Sequence, residues 1–259
     1  MPLMVVDGIE RTEEAVEPAG FTDARAAHLL ALERDHFWFP PRLALLARRL
    51  VALAPPGSEL VELGCGAGAF AAHAASLGYR VTAVDAHLSL LAAARKRHPT
   101  MRLIHADVAR ATPLPSEAFS VCVCLDVLEH IEPSSLLAEA RRLLRPGGAL
   151  LLSVPAHAWL WSALDEEAGH RCRYSLAMLS KELARAGFVL EGHTHYQLLL
   201  LPLVFASRRV LTAGSSSLER RPSPLLGRVL RRVNELEVRF LGGRQLPAGS
   251  SLIAWARRA

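Results

Sequence analysis

Leu60-Val61-Glu62-Leu63-Gly64-Cys65-Gly66-Ala67-Gly68-Ala69-Phe70 decides how the chain is read. An apolar strand carrying one carboxylate runs into three alternating glycines, then into the helical run Phe70–Leu77. Glycine has no Cβ, so such a turn takes unusual dihedrals and lets a ligand lie against bare backbone. The following helix points its unpaired amides back at that ligand. This predicts a nucleoside-cofactor turn. Gly64-x-Gly66-x-x-Ala69 fits the dinucleotide spacing, and Asp85 follows at the distance of a ribose-binding acid. Glu62 argues for a different ligand. A carboxylate beside a pyrophosphate adds like-charge repulsion, whereas a ligand bearing an ammonium and a sulfonium is drawn to it. An NAD-dependent oxidoreductase and a glycine turn without ligand are the alternatives.

Glu62-x-Gly64-x-Gly66-x-Gly68 resembles the first motif of class I S-adenosylmethionine (SAM)-dependent methyltransferases, and later segments match that family in order. Tyr79–Asp85 is a β-branched strand ending in the acid this architecture needs for the ribose hydroxyls. Asp85 reads alternatively as a helix N-cap, because Leu88–Arg97 is helical in pattern. Leu88 would wall the adenine. Met101–Asp107 is a third strand, and the resemblance makes Asp107, with the Val108 backbone, the adenine contact. Phe119–Leu125 is apolar throughout, as a strand covered on both faces should be. It leads into Asp126-Val127-Leu128-Glu129-His130, similar to the family's "L-E-H" segment. Cys65, Ala86 and Leu125 complete the expected cofactor lining. Asp126, Glu129 and His130 are read as a carboxylate-lined rim without metal, with metal assistance left open.

Ser134–Leu144 is an amphipathic helix stopped by Arg145-Pro146-Gly147-Gly148, and Ala149–Val154 is the fifth strand. Five strands alternating with helices predict a parallel sheet. Phe188–Tyr196 and Ser250–Arg257 are the sixth and seventh strands. The fold expected is therefore α/β, a doubly wound, seven-stranded, mostly parallel sheet with a helical insertion before the last strand. The segments expected are a loose leader (1–20), an N-terminal helical lid (21–50), a SAM-binding core (51–197), a basic insertion (198–246) and the last strand (247–259).

Two segments outside the cofactor motifs resemble a bacterial small-molecule branch of the family. His36-Phe37-Trp38-Phe39-Pro40-Pro41-Arg42 is similar to its "H-W-W-F…R" signature. There the segment closes over the cofactor with Arg42 on the methionine carboxylate; as a bare sequence it reads equally as an aromatic packing plug where Pro40-Pro41 interrupts a helix. Trp159-Leu160-Trp161 through Gly169-His170-Arg171-Cys172-Arg173-Tyr174 is similar to its "W-x-W-S…G-H-x-R-R-Y" run. His170 is the expected general base, since imidazole titrates near neutrality at about 6.5. His130, at the end of a central strand, is the alternative. His170 and Arg173 read otherwise as pins for the loop. Phe37, Trp38, Trp159, Trp161, Arg173 and Tyr174 are the expected acceptor contacts.

The 259 residues are 51% hydrophobic and 21% charged, a globular composition. Four cysteines without framework spacing, and no N-terminal signal, predict a cytoplasmic protein. The net charge of +5 is concentrated. Arg208 to Arg244 holds nine arginines against three glutamates, so this stretch carries +6 and the remainder −1. Leu225–Leu241 places Leu226, Val229, Leu230, Val233, Leu236 and Phe240 on one helical face, with arginines on the others. Such a hairpin can roof an apolar acceptor, pair two copies or lie on an anionic membrane; a plain solvated basic face needs no partner. Nucleic acid is disfavoured, because the basic stretch is confined and no "N-P-P-Y"-like segment follows the fourth strand. The function expected is methyl transfer from SAM to a small apolar acceptor at oxygen, nitrogen or carbon, leaving S-adenosylhomocysteine. A membrane-associated SAM-binding protein without turnover is a further alternative.

Overall fold

The computed structural model describes residues 3–12, 30, 36–210, 222–241 and 243–259. Nine strands form one sheet: β1 (Met4–Val6), β2 (Ile9–Arg11), β3 (Glu59–Leu63), β4 (Arg80–Asp85), β5 (Arg102–His105), β6 (Phe119–Leu125), β7 (Leu144–Pro155), β8 (Phe188–Tyr196) and β9 (Ser251–Arg258). Their order across the sheet is β1-β2-β5-β4-β3-β6-β7-β9-β8. β2 through β7 run parallel, while β9 lies antiparallel between β7 and β8. The helices are α1 (Phe39–Leu53), α2 (Ala69–Ser76), α3 (Leu88–Arg97), α4 (Pro133–Leu143), α5 (Ala163–Ala168), α6 (Leu176–Arg185), α7 (Leu201–Val210) and α8 (Pro224–Leu241).

Period-2 alternation along the central strands feeds two cores. Val61, Leu63, Cys122, Cys124, Leu150 and Leu152 pack with Leu136, Leu137 and Leu143 of α4 and with Leu179 and Leu183 of α6. Their neighbours Leu60, Val121, Val123 and Leu151 face the other side. There they meet Leu45, Leu46, Leu50 and Leu53 of α1, Phe70 of α2 and Val238 of α8. Burial on both faces is why β6 is apolar along its length.

Several expectations are corrected. The segment read as a loose leader holds β1 and β2, which raise the strand count from seven to nine. Asp7 (φ 52°) and Gly8 (φ 75°) make the left-handed turn between them. Arg102 clamps β2 to β5, its Nε and Nη2 donating to the Glu10 carboxylate at 2.8 and 2.9 Å. Pro40-Pro41 does not interrupt a helix but starts one: both occupy the first turn of α1, where no amide donor is needed. α1 is a layer of the core, so the boundary drawn at residue 50 falls inside a helix. Most of the rest of the expected lid, residues 21–29 and 31–35, lies outside the described residues.

The insertion is helical, but α8 buries a different stripe from the one its apolar pattern predicts. Leu230, Asn234, Glu237 and Val238 are buried, whereas Val229, Leu236 and Phe240 are exposed. Asn234 Nδ2 donates to the Phe37 carbonyl at 3.4 Å. The Glu237 carboxylate accepts from the backbone of Gln197 (2.7 Å) and Leu199 (2.8 Å), docking α8 on the chain leaving β8. No helix among the described residues is long and apolar enough to cross a membrane.

Candidate active site

Four strand ends and one loop build the site. β3 ends at Leu63, and Gly64, Gly66 and Gly68 all take positive φ (77°, 55° and 78°), a conformation that favours glycine. Gly68 starts α2 without a side-chain cap. A Cβ at Gly64 would overlap Val127 Cγ2, so the turn packs directly on the segment that follows β6. At the end of β4 the buried Asp85 accepts from Gly66 N–H (2.7 Å) and His87 N–H (2.9 Å), with the His87 ring at 3.0 Å. These bonds fix the carboxylate against the turn. Glu62 is buried mid-strand, in register with Ala83 and Val123. Cys65, Ala86 and Val108 are buried, and Leu88 opens α3. Asp107, past the end of β5, accepts from Ala109 N–H at 2.9 Å.

The β6 end carries a second cluster. Asp126 sits at φ 56°, its N–H donating to the Ser153 carbonyl at 3.0 Å. Arg42 reaches it from α1: Nη2 lies 2.7 Å from both carboxylate oxygens and 2.5 Å from Ser153 Oγ, while the guanidinium stacks 4.1 Å over Trp38. Arg42 Nε is buried with no acceptor among the described residues, a donor left over for a ligand to satisfy.

The loop after β7 is held to this end by backbone. Arg171 N–H donates to the Glu129 carbonyl at 2.8 Å, and the Tyr174 hydroxyl donates to the Leu128 carbonyl at 3.2 Å. These ties bring His170 to His130, with ring centroids 5.0 Å apart and edge to face. Asp165 is the hub of the loop. Its Oδ1 contacts His170 Nδ1 (2.9 Å) and Arg173 Nε (2.8 Å), and its Oδ2 accepts from Arg208 Nη1 of α7 (2.6 Å). Burial alone would raise the Asp165 pKa. The hydrogen bonds from His170 and Arg173 and the charges of Arg173 and Arg208 outweigh it and hold the carboxyl well below the usual range. An ionised carboxylate only accepts, so His170 Nδ1 is the donor, and in the neutral ring Nε2 carries the lone pair. Glu129, fully buried, behaves oppositely: burial and then the neighbouring Asp126 charge push its pKa well up.

Not every expected residue reaches the site. Phe37 is buried against Leu200 and Leu230 and fills the role of a plug. Arg173 and Tyr174, also expected to contact the acceptor, are buried and tie the loop; burial first, then Cys172, raises the Tyr174 pKa. Trp159 is exposed, stacked on His157 (5.0 Å) and edge-on to Phe205 of α7 (5.6 Å). Trp161 donates to Glu166 at 3.3 Å. Asp165, Ser153 and Arg208 were not singled out from sequence. The one local signal for Asp165 is the capping box with Ser162, where Ser162 N–H donates back to Oδ2 at 3.0 Å.

Residues 61–152, from β3 through β7, match the methyltransferase domain family. A probable S-adenosylmethionine-dependent methyltransferase of Mycolicibacterium smegmatis is 31% identical over 163 residues, 62% of each chain. Over these residues the chain is similar to class I SAM-dependent methyltransferases. By its name that relative uses a sulfonium nucleoside rather than a dinucleotide. A ubiquinone biosynthesis O-methyltransferase of Xanthomonas campestris is 36% identical over 124 residues, 46% of this chain and 50% of that one. This chain thus spans about half to three fifths of these curated relatives' lengths. In fold it is similar to a phosphoethanolamine N-methyltransferase of Haemonchus contortus solved with SAM. The TM-score is 0.61 at 16% identity, covering 93% of this chain and 58% of the other.

Proposed function

We propose that this chain transfers the methyl group of SAM to an oxygen of a small, largely apolar molecule, releasing S-adenosylhomocysteine. The observation that carries the reading is the His170 imidazole, backed by Asp165 at 2.9 Å, at the strand end that packs on the glycine turn. SAM supplies a methyl group on a positively charged sulfur, already activated for displacement. Glu62 and the Gly64–Gly68 backbone hold its amino-acid end, Asp85 the ribose, and Asp107 with the Val108 backbone the adenine. Arg42 offers its buried Nε to the carboxylate. With no cation present, His170 Nε2, or His130 beside it, takes the proton of the acceptor hydroxyl, and Asp165 stabilises the imidazolium. The remaining contribution is alignment and exclusion of water.

Oxygen is preferred because a hydroxyl must lose a proton whereas an electron-rich carbon need not, which suits a buttressed imidazole. The ubiquinone biosynthesis relative is likewise an O-methyltransferase by name. Trp38, Trp159 and Trp161 offer aromatic walls, and Leu199, Leu203 and Phe205 extend an apolar roof from the insertion. The outer side of α8, with Phe240 and Val229 beside Arg228 and Arg239, suits an anionic membrane surface from which such an acceptor would be drawn. Calorimetric titration with SAM tests the reading. Wild type saturates, Asp85→Ala weakens binding at least about tenfold, as loss of a charged hydrogen-bond acceptor predicts, and His170→Ala keeps SAM affinity while kcat falls about 100-fold or more. Undiminished SAM binding by Asp85→Ala refutes the assignment.

A further inference from the structure

Glu129, His130 and His170 each offer a ligand atom, and all three atoms lie within 4.8 Å of one another. Glu129 Oε1 stands 4.0 Å from His170 Nε2, too far for a hydrogen bond between them. Zinc–ligand bonds of about 2.0–2.2 Å at tetrahedral angles set donors about 3.4 Å apart, so small side-chain rotations close the set on one ion.

Two further observations point to a cation. The Glu129 side chain is fully buried, and its Oε2 has no hydrogen-bond partner among the described residues. A buried carboxylate oxygen left in this way is costly unless something outside the chain satisfies it. His170 meanwhile gives Nδ1–H to Asp165 and keeps Nε2 as a lone-pair donor facing Glu129. A histidine that ligates metal almost always has its other ring nitrogen held by a carboxylate or carbonyl in this manner. The backbone bond from Arg171 to the Glu129 carbonyl fixes the distance between the loop and the strand end that the set requires.

We propose that Glu129, His130 and His170 bind one divalent transition-metal ion, of which Zn²⁺ is the type, with a coordination position open to the methyl acceptor. Two imidazoles and one carboxylate suit zinc or cobalt, whereas Mg²⁺ prefers an all-oxygen set. The role rests on the oxygen-acceptor reading above and deepens it. In the loaded protein His170 Nε2 is a ligand instead of a base, and the acceptor hydroxyl, polarised by the ion, gives its proton to solvent water at lower pH. The acceptor class narrows to molecules whose methylated oxygen can reach a cation, such as phenols with a neighbouring oxygen.

The test uses the full chain stripped with a chelator and then titrated calorimetrically with Zn²⁺, with Co²⁺ added in parallel to read ligand-field absorption. One equivalent binds, Co²⁺ shows the intense visible bands of a low-coordinate site, and the acidic limb of the methyl-transfer pH profile moves down on loading. Glu129→Gln and His170→Ala each weaken Zn²⁺ by at least about 100-fold, since outer partners alone are worth about 10- to 100-fold. SAM binding, measured on every variant, reports an intact fold. Wild type binding Zn²⁺ no more tightly than Glu129→Gln overturns the site. Zinc binding with an unmoved pH profile overturns its role. SAM binding without zinc removes the cation and leaves the methyltransferase reading standing; zinc binding without SAM does the reverse.

Discussion

Replacing Asp165 by Asn should do more damage than any other single change in the loop after β7. The substitution keeps the shape but removes the charge facing Arg173 and Arg208, whose side chains are 3% and 10% exposed. It also puts an amide donor where His170 and both guanidiniums already donate. Breaking a buried ion pair from one side costs about 3–5 kcal/mol, because the partner charge stays buried and uncompensated. At about 2.1 cal/mol/K per residue the unfolding entropy of this chain is about 0.54 kcal/mol/K, so the melting temperature should drop by about 6–9 °C. The pH dependence has a definite sign. The folded carboxyl lies below its ordinary value of 3.8, so its stabilisation is complete above about pH 4 and is lost as pH falls through the folded value. Urea denaturation from pH 8 to pH 3 should therefore show a wild-type advantage that is flat down to about pH 4 and then shrinks. An advantage below 1 kcal/mol at pH 7, or one that grows as the pH falls, refutes Asp165 as the hub.

Two other changes test the packing around the site. Gly64→Ala combines φ of 77° with overlap onto Val127, and should destabilise by about 1–3 kcal/mol. Adding Val127→Ala should recover the steric part and leave the backbone part, read as a positive coupling in a double-mutant cycle of urea midpoints. Glu237→Gln weakens the two hydrogen bonds that dock α8 on Gln197 and Leu199, costing about 1–3 kcal/mol locally. Hydrogen exchange should then speed up in α8 while β3 and β6 stay protected.

The glycine turn and the strand ends beside it were legible because their chemistry and their pattern coincide. Glycines that need positive φ, a carboxylate before them and acids at successive strand ends are each unusual enough to register in a single sequence. The loop after β7 and the segments packed around it were less so. Asp165 looked like one acid among three in a loop, and only the folded chain brings Arg208 to it from 43 positions away. Phe37 and Tyr174 carry the residue types of a binding surface, yet they are buried against partners far along the chain. In α8 the apolar period suggested one face, but Asn234 and Glu237 lie inside because the backbone they satisfy needs polar groups there. The β1–β2 hairpin did have a signal, the Asp7-Gly8 pair between short alternating runs, and it was outweighed by the acidic, aperiodic residues that follow.

That hairpin also changes what the sheet shows to other molecules. Without it β5 would form one margin, with its hydrogen-bonding groups open along a buried apolar strand, a ready template for a foreign chain. Instead the margin is a strand of three residues, too short to recruit a partner. The opposite margin, β8, is kinked where its register slips between Leu190 and Gly192 and the Trp255 ring crowds the glycine. Both flanks are thus blunted, which favours a protein that stays dispersed when crowded.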